Sequence, residues 1–469
     1  MTRRELLTLG LGAAAAVPLT PVPWKLLDDS SKWTQNWNWI PRPPRGEPSV
    51  KYSSCTLCSA GCGIAARCVG TSVIGIAPVA DHPVSKGVLC PLAFGAHQLP
   101  FHPARLTCPL RHGRPARIEE VTAEIAGRVK AGRFAIVDER PGRAVSEAYQ
   151  RIAAANGGAY IAPVAGNGLP LEDVRTIVSL GAPVLESWGT PGRVLELWGS
   201  GRLAVVQVEE SLSKTGALAA KSLIVRQGSG SKISELLAGR VGISAASEAT
   251  GVAQEKLADV VQFVKERGAM ISVAGEQPQI AILDGEIDTL LIDHGPLGGS
   301  LSRGALRRGG VIVSLSPYRA GVAAAADYAI PTPAFGEALE EAPTPWDAMS
   351  PSYALAPPLR GAPAGLTTPC DFIAKVTVSG ETQESAIERR VERLHAAKRG
   401  VVFAFRDRTV KAMSEFKTAA DLRKAFDAGA CWTDREAKET PAEFRGARSG
   451  RKAIDVPLLA MLRGNENDS

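Results

Sequence analysis

Cys55-Thr56-Leu57-Cys58-Ser59-Ala60-Gly61-Cys62-Gly63, with Gly87-Val88-Leu89-Cys90 further along, is the stretch on which the reading of this chain turns. Three thiols lie close together and a fourth returns from a loop. That spacing lets the first three wrap one side of a small inorganic core while the fourth closes the other. Gly61 and Gly63 flank the third thiol and permit the tight backbone turns that such wrapping demands. Thiolates are soft ligands that zinc and iron–sulfur clusters both accept. Structural zinc draws its ligands as two close pairs. The order here, Cys-x2-Cys-x3-Cys-x27-Cys, is three plus one. It matches a cubane 4Fe-4S cluster better than zinc or a disulfide framework, and Cys55, Cys58, Cys62 and Cys90 are the candidate ligands.

The other cysteines fall outside this spacing. Cys68 sits in the apolar run Ala65-Ala66-Arg67-Cys68-Val69 and Cys108 precedes Pro109. Both read as buried structural thiols, with a Cys68–Cys108 disulfide as the alternative. Cys370 and Cys431 are isolated. Eight Cys among 469 residues make no disulfide scaffold. Hydrophobic residues at 45% and charged residues at 22% fit a soluble globular chain and exclude a disordered one. At about 150 residues per domain, the length suggests about three domains. No apolar run reaches the roughly 18 residues of a spanning helix, which excludes a multi-spanning membrane protein. Lys and Arg number 54 against 48 Asp and Glu, a net +6 spread along the chain, so nothing argues for nucleic-acid binding.

The N-terminus reads as an address. Arg3-Arg4 follows Thr2, and an apolar stretch from Leu6 to Val17 runs up to Pro18. The pattern resembles a twin-arginine export signal, a route that carries proteins already folded. An ordinary amphipathic helix is the alternative. No crisp small-residue cleavage site stands out within Ala13–Ala16, so the segment is open to staying attached as an anchor, and the expected location is the periplasmic side of the cytoplasmic membrane. Four of the eight Trp fall between Trp24 and Trp39. With Pro41 to Pro48 they read as an extended strap, its indoles suited to a membrane interface or a protein contact.

Beyond residue 115 short apolar runs alternate with helical patterns. Val121, Ile125 and Val129 repeat at i+4 on a helix, and Phe134-Ala135-Ile136-Val137 follows as a strand. Thr176 to Leu180, Leu203 to Val208, Met270 to Ala274, Thr289 to Ile292 and Val311 to Leu315 are further strands, with a helix over Glu255 to Arg267. Alternation of this kind predicts an α/β fold with parallel sheets and ligand sites at the strand carboxyl ends. The expected organisation is a twin-arginine-type signal or anchor over 1–30, the strap over 31–50, a 4Fe-4S domain over 51–115, an α/β region over 116–345 and a C-terminal extension over 346–469. Glu388-Arg389-Arg390-Val391-Glu392-Arg393 in that extension is charged and helical in pattern; a docking arm and a loose terminus are both open for the last stretch.

The cysteine spacing, the Gly87-Val88-Leu89-Cys90 approach and Arg105-Leu106-Thr107-Cys108-Pro109-Leu110-Arg111 together resemble the opening domain of the molybdopterin oxidoreductase family. Trp24-Lys25-Leu26-Leu27-Asp28-Asp29 and Trp33-Thr34-Gln35-Asn36-Trp37 are similar to the molybdopterin-binding-like subunits of menaquinone reductase and alternative complex III-type respiratory complexes. Ser179 to Trp188, Val206 to Thr215 and Ala326-Asp327-Tyr328-Ala329-Ile330-Pro331 followed by Glu337 resemble later pieces of the family, in order. The resemblance implies shortened molybdopterin-oxidoreductase-like α/β domains behind the cluster domain.

Departures from the family pattern bear on the pterin. Where working members hold a guanine with a Pro-Gly-Thr-Asp turn, this chain has Gln227-Gly228-Ser229-Gly230, without the carboxylate. Leu92 stands where a Lys follows the fourth cluster Cys. No Cys falls between Cys108 and Cys370, leaving no thiolate for molybdenum, although a Ser or Asp ligand stays open. Little chain follows the third-domain motif for a last pterin-embracing domain.

The resemblance therefore implies an electron-transfer subunit of a membrane-associated, quinone-linked respiratory complex, without working molybdenum and without catalytic residues of its own. Its implied partners are a ferredoxin-like multi-cluster subunit, a multihaem cytochrome c subunit, and a quinone-binding integral membrane subunit. The alternative is a compact catalyst holding molybdopterin guanine dinucleotide and acting on a small oxyanion or organic substrate. A structural assembly subunit with zinc in the cysteine site, or nothing, is a third class.

Smaller features have bland readings. Gly228-Ser229-Gly230-Ser231-Lys232 lacks phosphate-loop spacing and reads as a turn before a helix at Ile233 to Leu237. Gly295 to Gly304 reads as a turn. His82 and His97 flank Cys90 and could reach cluster sulfurs or a quinone, but solvated loop histidines are the simpler expectation. Ser211, Ser213 and Thr215 make no hydrolytic triad.

Overall fold

A computed structural model describes residues 1–16, 25–26, 46–162, 171, 174–186, 190–268, 270–274, 287–294, 306–345, 347–348 and 350–436. The tryptophan-rich strap, the turn at Gly295 to Gly304 and the last Arg- and Gly-rich stretch lie outside these residues. The chain divides into two compact units, Met1–Pro48 and Ser49–Ser469. In the first, Arg3–Ala16 is a helix, and among the described residues no helix is long and apolar enough to cross a membrane.

Strands β1 (Pro48–Ser54), β2 (Gly63–Val69) and β3 (Ser72–Pro78) form one small sheet in that order. The short strands β4 (Leu110–Arg111) and β5 (Arg114–Pro115) lead into the α/β region. There follow β6 (Phe134–Asp138), β7 (Ala159–Ile161), β8 (Thr176–Leu180), β9 (Ala204–Glu209), β10 (Lys221–Ile224) and β11 (Met270–Ala274). Then come β12 (Ile287–Asp293), β13 (Leu306–Ser316) and β14 (Tyr328–Pro331). Two sheets result, one ordered β5-β4-β14-β13-β12-β6-β7 and the other β10-β9-β8-β11. β14, β13, β12, β6 and β7 run parallel, as does every pair of the smaller sheet.

The strands expected from continuous apolar runs are thus present, and the reason is burial. Every residue of β6 and β9 is buried, the pattern of a parallel sheet covered on both faces. The covering helix Ile118–Ala131 turns Val121, Ile125 and Val129 inward. Glu119 and Glu120 in its first turn and Arg128 and Lys130 in its last complement the helix dipole.

The charged sequence from 385 to 436 folds into the protein. Strands β15 (Glu340–Ala342), β16 (Ser352–Ala356), β17 (Val401–Ala404), β18 (Val410–Ala412) and β19 (Ala430–Thr433) make an antiparallel sheet ordered β15-β16-β19-β17-β18. The helix Gln383–Ala397 buries Ile387, Arg390, Val391 and Leu394. Its Arg390 is fully enclosed, donating to Glu147 at 2.5 Å and lying over the Tyr353 ring at 5.5 Å. Glu341 of β15 accepts from the amides of Ala144 and Val145, so its carboxylate sits on the first turn of the helix Ala144–Ala155. Side chains from this sheet and from the parallel one share a single core.

At the carboxyl ends of β6 and β12, Asp138 and Asp293 stand in register, both fully buried. Arg143 bridges them, donating to Asp138 Oδ1 and Asp293 Oδ2 at 2.7 Å each. Tyr160 and Tyr149 hydroxyls complete the network at 3.0 and 2.9 Å. Replacing one partner of a buried ion network typically costs about 3–5 kcal/mol, because a charge stays behind in a dry site. Arg143→Met is expected to cost that much, by depriving two carboxylates of the guanidinium they share; the change in the denaturant midpoint at constant m-value measures it.

Candidate metal centre

The loop from Cys55 to Cys62 closes on itself, the Cys55 amide donating to the Cys62 carbonyl at 2.7 Å. Gly61 takes φ +58° at the tightest point, where an added Cβ would stand 3.0 Å from the Ala342 methyl. Cys90 is the extended residue before the short helix Pro91–Gly95. Cys55, Cys62 and Cys90 are buried in one apolar cluster, with Cys58 and Leu92 half-buried against it. Leu57, Ile64, Leu89, Tyr318, Phe335 and Leu359 supply much of the wall.

The structure therefore brings all four sequence-predicted ligands into one pocket, close enough for their charges to act on one another. Burial is the largest effect on each thiol and pushes all four upward, Cys62 to about 12. Backbone N–H groups oppose it at the sulfurs: Leu57 at Cys55, Ala60 at Cys58, and Leu92 with Ala93 at Cys90. At Cys62 the opposing groups are the Arg193 guanidinium and the Ser85 hydroxyl. Four ionised thiols packed together without water would be very costly unless a positively charged core compensated them. Amides already aimed at the sulfurs are what an iron–sulfur core requires of its protein. Among the described residues no three His, Cys, Asp or Glu side chains close around a single ion. The donor set fits a cluster.

Residues that the spacing did not reveal complete the pocket. Gly192, near the start of the helix Pro191–Gly199, approaches so closely that a Cβ there would stand 3.1 Å from Cys62 Sγ. Arg193 follows it, 7% exposed, with Nε donating to Asp347 Oδ2 at 2.8 Å. A Gly-Arg dipeptide at a helix start has no periodic signature, and Asp347 lies far along the chain, so neither was legible. The glycine alone was a visible hint.

His82 departs from the expectation of a solvated loop histidine. It is fully buried, 5.2 Å from the Phe405 ring, and its ring occupies the space a Cβ on Gly63 would need. Desolvation, with some help from Lys86 and Arg193, lowers its pKa to about 3, so the ring is neutral. Its Nδ1 lies 3.1 Å from both the Ser85 amide and the Ser85 hydroxyl, and that hydroxyl also reaches Cys62. His82 thus braces Ser85 against the pocket. His97 is partly exposed, its Nδ1 bonded to the Phe94 carbonyl. Cys68 and Cys108 are free thiols in separate cores.

The carboxyl ends of β8 and β9 are where a dinucleotide would lie in an α/β fold. Glu209 accepts there from the Ser213 amide at 2.8 Å and from Gln207 Nε2 at 2.9 Å. Glu186 accepts from the Thr215 amide at 3.0 Å, and Glu210 from the Gly228 amide at 2.8 Å. Carboxylates thus already accept from these backbone amides.

Comparison with known proteins agrees with the pocket. Residues 48–98 match the family description "Molybdopterin oxidoreductase Fe4S4 domain". Those residues precede a mixed α/β region with parallel sheets. It is similar to the menaquinone reductase, molybdopterin-binding-like subunit, of Nitratidesulfovibrio vulgaris, 28% identical over 226 residues. That match takes in 43% of this chain and 33% of the relative. A sulfite dehydrogenase subunit of Allochromatium vinosum is 33% identical over 95 residues, 20% of this chain and 10% of that one. The chain thus spans a third or less of the length of these curated relatives. Acetylene hydratase from Pelobacter acetylenicus shares the fold at a TM-score of 0.54 and 10% identity, over 82% of this chain and 74% of that one.

Two measurements test this pocket. Gly192→Ala is expected to lower the iron retained per chain several-fold after gel filtration, since its methyl would crowd Cys62. In the metal-free chain, thiols raised above their ordinary 9.0 favour folding while protonated. That stability is complete below about pH 9 and is lost as pH climbs toward the raised values. The melting temperature of the metal-free chain, followed by circular dichroism, is therefore expected to fall beyond pH 9, and loading with iron and sulfide to flatten the slope.

Proposed function

We propose that this chain is the iron–sulfur electron-transfer subunit of a membrane-associated, quinone-linked respiratory oxidoreductase complex. The convergence of Cys55, Cys58, Cys62 and Cys90 in one buried pocket carries the reading. A 4Fe-4S cluster there would supply one-electron transfer. The chain's own work is to ionise and hold the thiols, to exclude water with Leu57, Leu89 and Phe335, and to aim amides at the sulfurs.

The likeness to a menaquinone reductase subunit supports a place in a quinone-linked assembly. The partners in this reading are a ferredoxin-like multi-cluster subunit, a multihaem cytochrome c and a quinone-binding membrane subunit. The carboxylates at the ends of β8 and β9 favour a chain that works without molybdenum. The arginine pair that opens the helix Arg3–Ala16 supports export by the twin-arginine route to the periplasmic face, with the helix as signal or anchor.

Anaerobically purified protein is expected to contain about four iron and four sulfide per chain and no molybdenum or tungsten. It should also give a paramagnetic signal on reduction. Cys58→Ser or Cys90→Ser should cut the iron at least by half. Stoichiometric molybdenum would establish the catalytic alternative instead, and zinc in the thiol site a structural one.

A further inference from the structure

Two opposite charges are buried beside the thiol pocket. The Arg193 guanidinium acts on Cys62, and the Asp347 carboxylate acts on Cys58. Both are held firmly. Asp347 Oδ2 accepts from Arg193 Nε at 2.8 Å and from the Thr190 hydroxyl at 2.7 Å. A further Arg193 N–H donates to the Val84 carbonyl at 3.0 Å, on the segment that leads through Ser85 to Cys90. Exposure is 7% for Arg193 and 1% for Asp347. Gly192 brings the same backbone to within a methyl's width of Cys62.

A buried ion pair adds little net stability compared with well-packed apolar residues, so its retention against a redox site calls for another role. In a site closed to water a charge a few ångströms away acts strongly. Taking up one electron adds one negative charge to a cluster. A neighbouring cation favours the reduced form and a neighbouring anion disfavours it. Leu92, packed against the same pocket, brings no charge of its own.

We propose that Arg193 and Asp347 are positioning residues that set the reduction potential of the cluster as an opposed pair, the guanidinium holding it up and the carboxylate holding it down. The proposal rests on the four-cysteine cluster reading.

The test is a redox titration of the full-length, anaerobically prepared chain, followed by paramagnetic resonance of the reduced cluster, with iron and sulfide counted for each variant. Arg193→Met is expected to lower the midpoint and Asp347→Asn to raise it. Arg193→Lys should stay near the parent, and the double variant should move back toward it. A purely structural pair would lose cluster content without shifts of opposite sign. Equal iron content with unmoved midpoints, or shifts of one sign in both single variants, overturns the proposal. Should Arg193→Met fail to load, Asp347→Asn decides alone, since it keeps the shape and an oxygen for Thr190: an unmoved or lowered midpoint overturns the proposal. A parent chain without iron would defeat the cluster reading itself, a separate failure.

Discussion

The structure depends on keeping four thiols dry. Each sulfur of Cys55, Cys58, Cys62 and Cys90 is buried among apolar side chains, and burial alone would keep all four protonated. Ionising them requires compensating partial charges, which arrive from several directions. Backbone amides come from the residues just after Cys55, Cys58 and Cys90, and at Cys62 a hydroxyl comes from Ser85 and a guanidinium from Arg193. The same residues that exclude water thus raise the cost of charge, and the polar groups between them offset it. Neither set could be placed by the short cysteine loop unaided.

The surrounding architecture does that placing. Ala342 of β15 backs Gly61, and Phe403 with Phe405 backs His82, which holds Ser85. Arg105 meets Glu337 at 2.5 Å, pinning the exit of the cysteine domain to the segment beyond β14. Glu341 caps one helix and accepts from the Tyr353 hydroxyl at 2.7 Å, tying the two larger sheets together. The pocket is therefore a product of the fold as a whole, with ligands from one segment and walls from several.

Much of this was readable from residue order. The four thiols that converge were visible by their spacing, because a short loop has few ways to bring three cysteines together. The parallel strands were visible as unbroken apolar runs such as Phe134 to Val137, and the helix faces as i+4 repeats such as Val121, Ile125 and Val129. Arg193, Asp347 and the burial of His82 were not visible. Their partners are 109 to 154 positions away in the hydrogen bonds that fix Arg193, and long-range pairing leaves no periodic trace. The helix around Arg390 was visible in its pattern, but the enclosure of that guanidinium by Glu147 and Tyr353 was not.

The enclosure of His82 by Phe403 and Phe405 has a consequence for biosynthesis. The metal-binding loop leaves the ribosome early, but the aromatic wall behind it is made more than three hundred residues later. Until those rings are synthesised and docked, His82 has nothing behind it to hold Ser85 against the thiols. A chain stopped short of Phe403 would keep the apolar wall of Leu57, Leu89, Phe335 and Leu359 but lose the brace on Ser85.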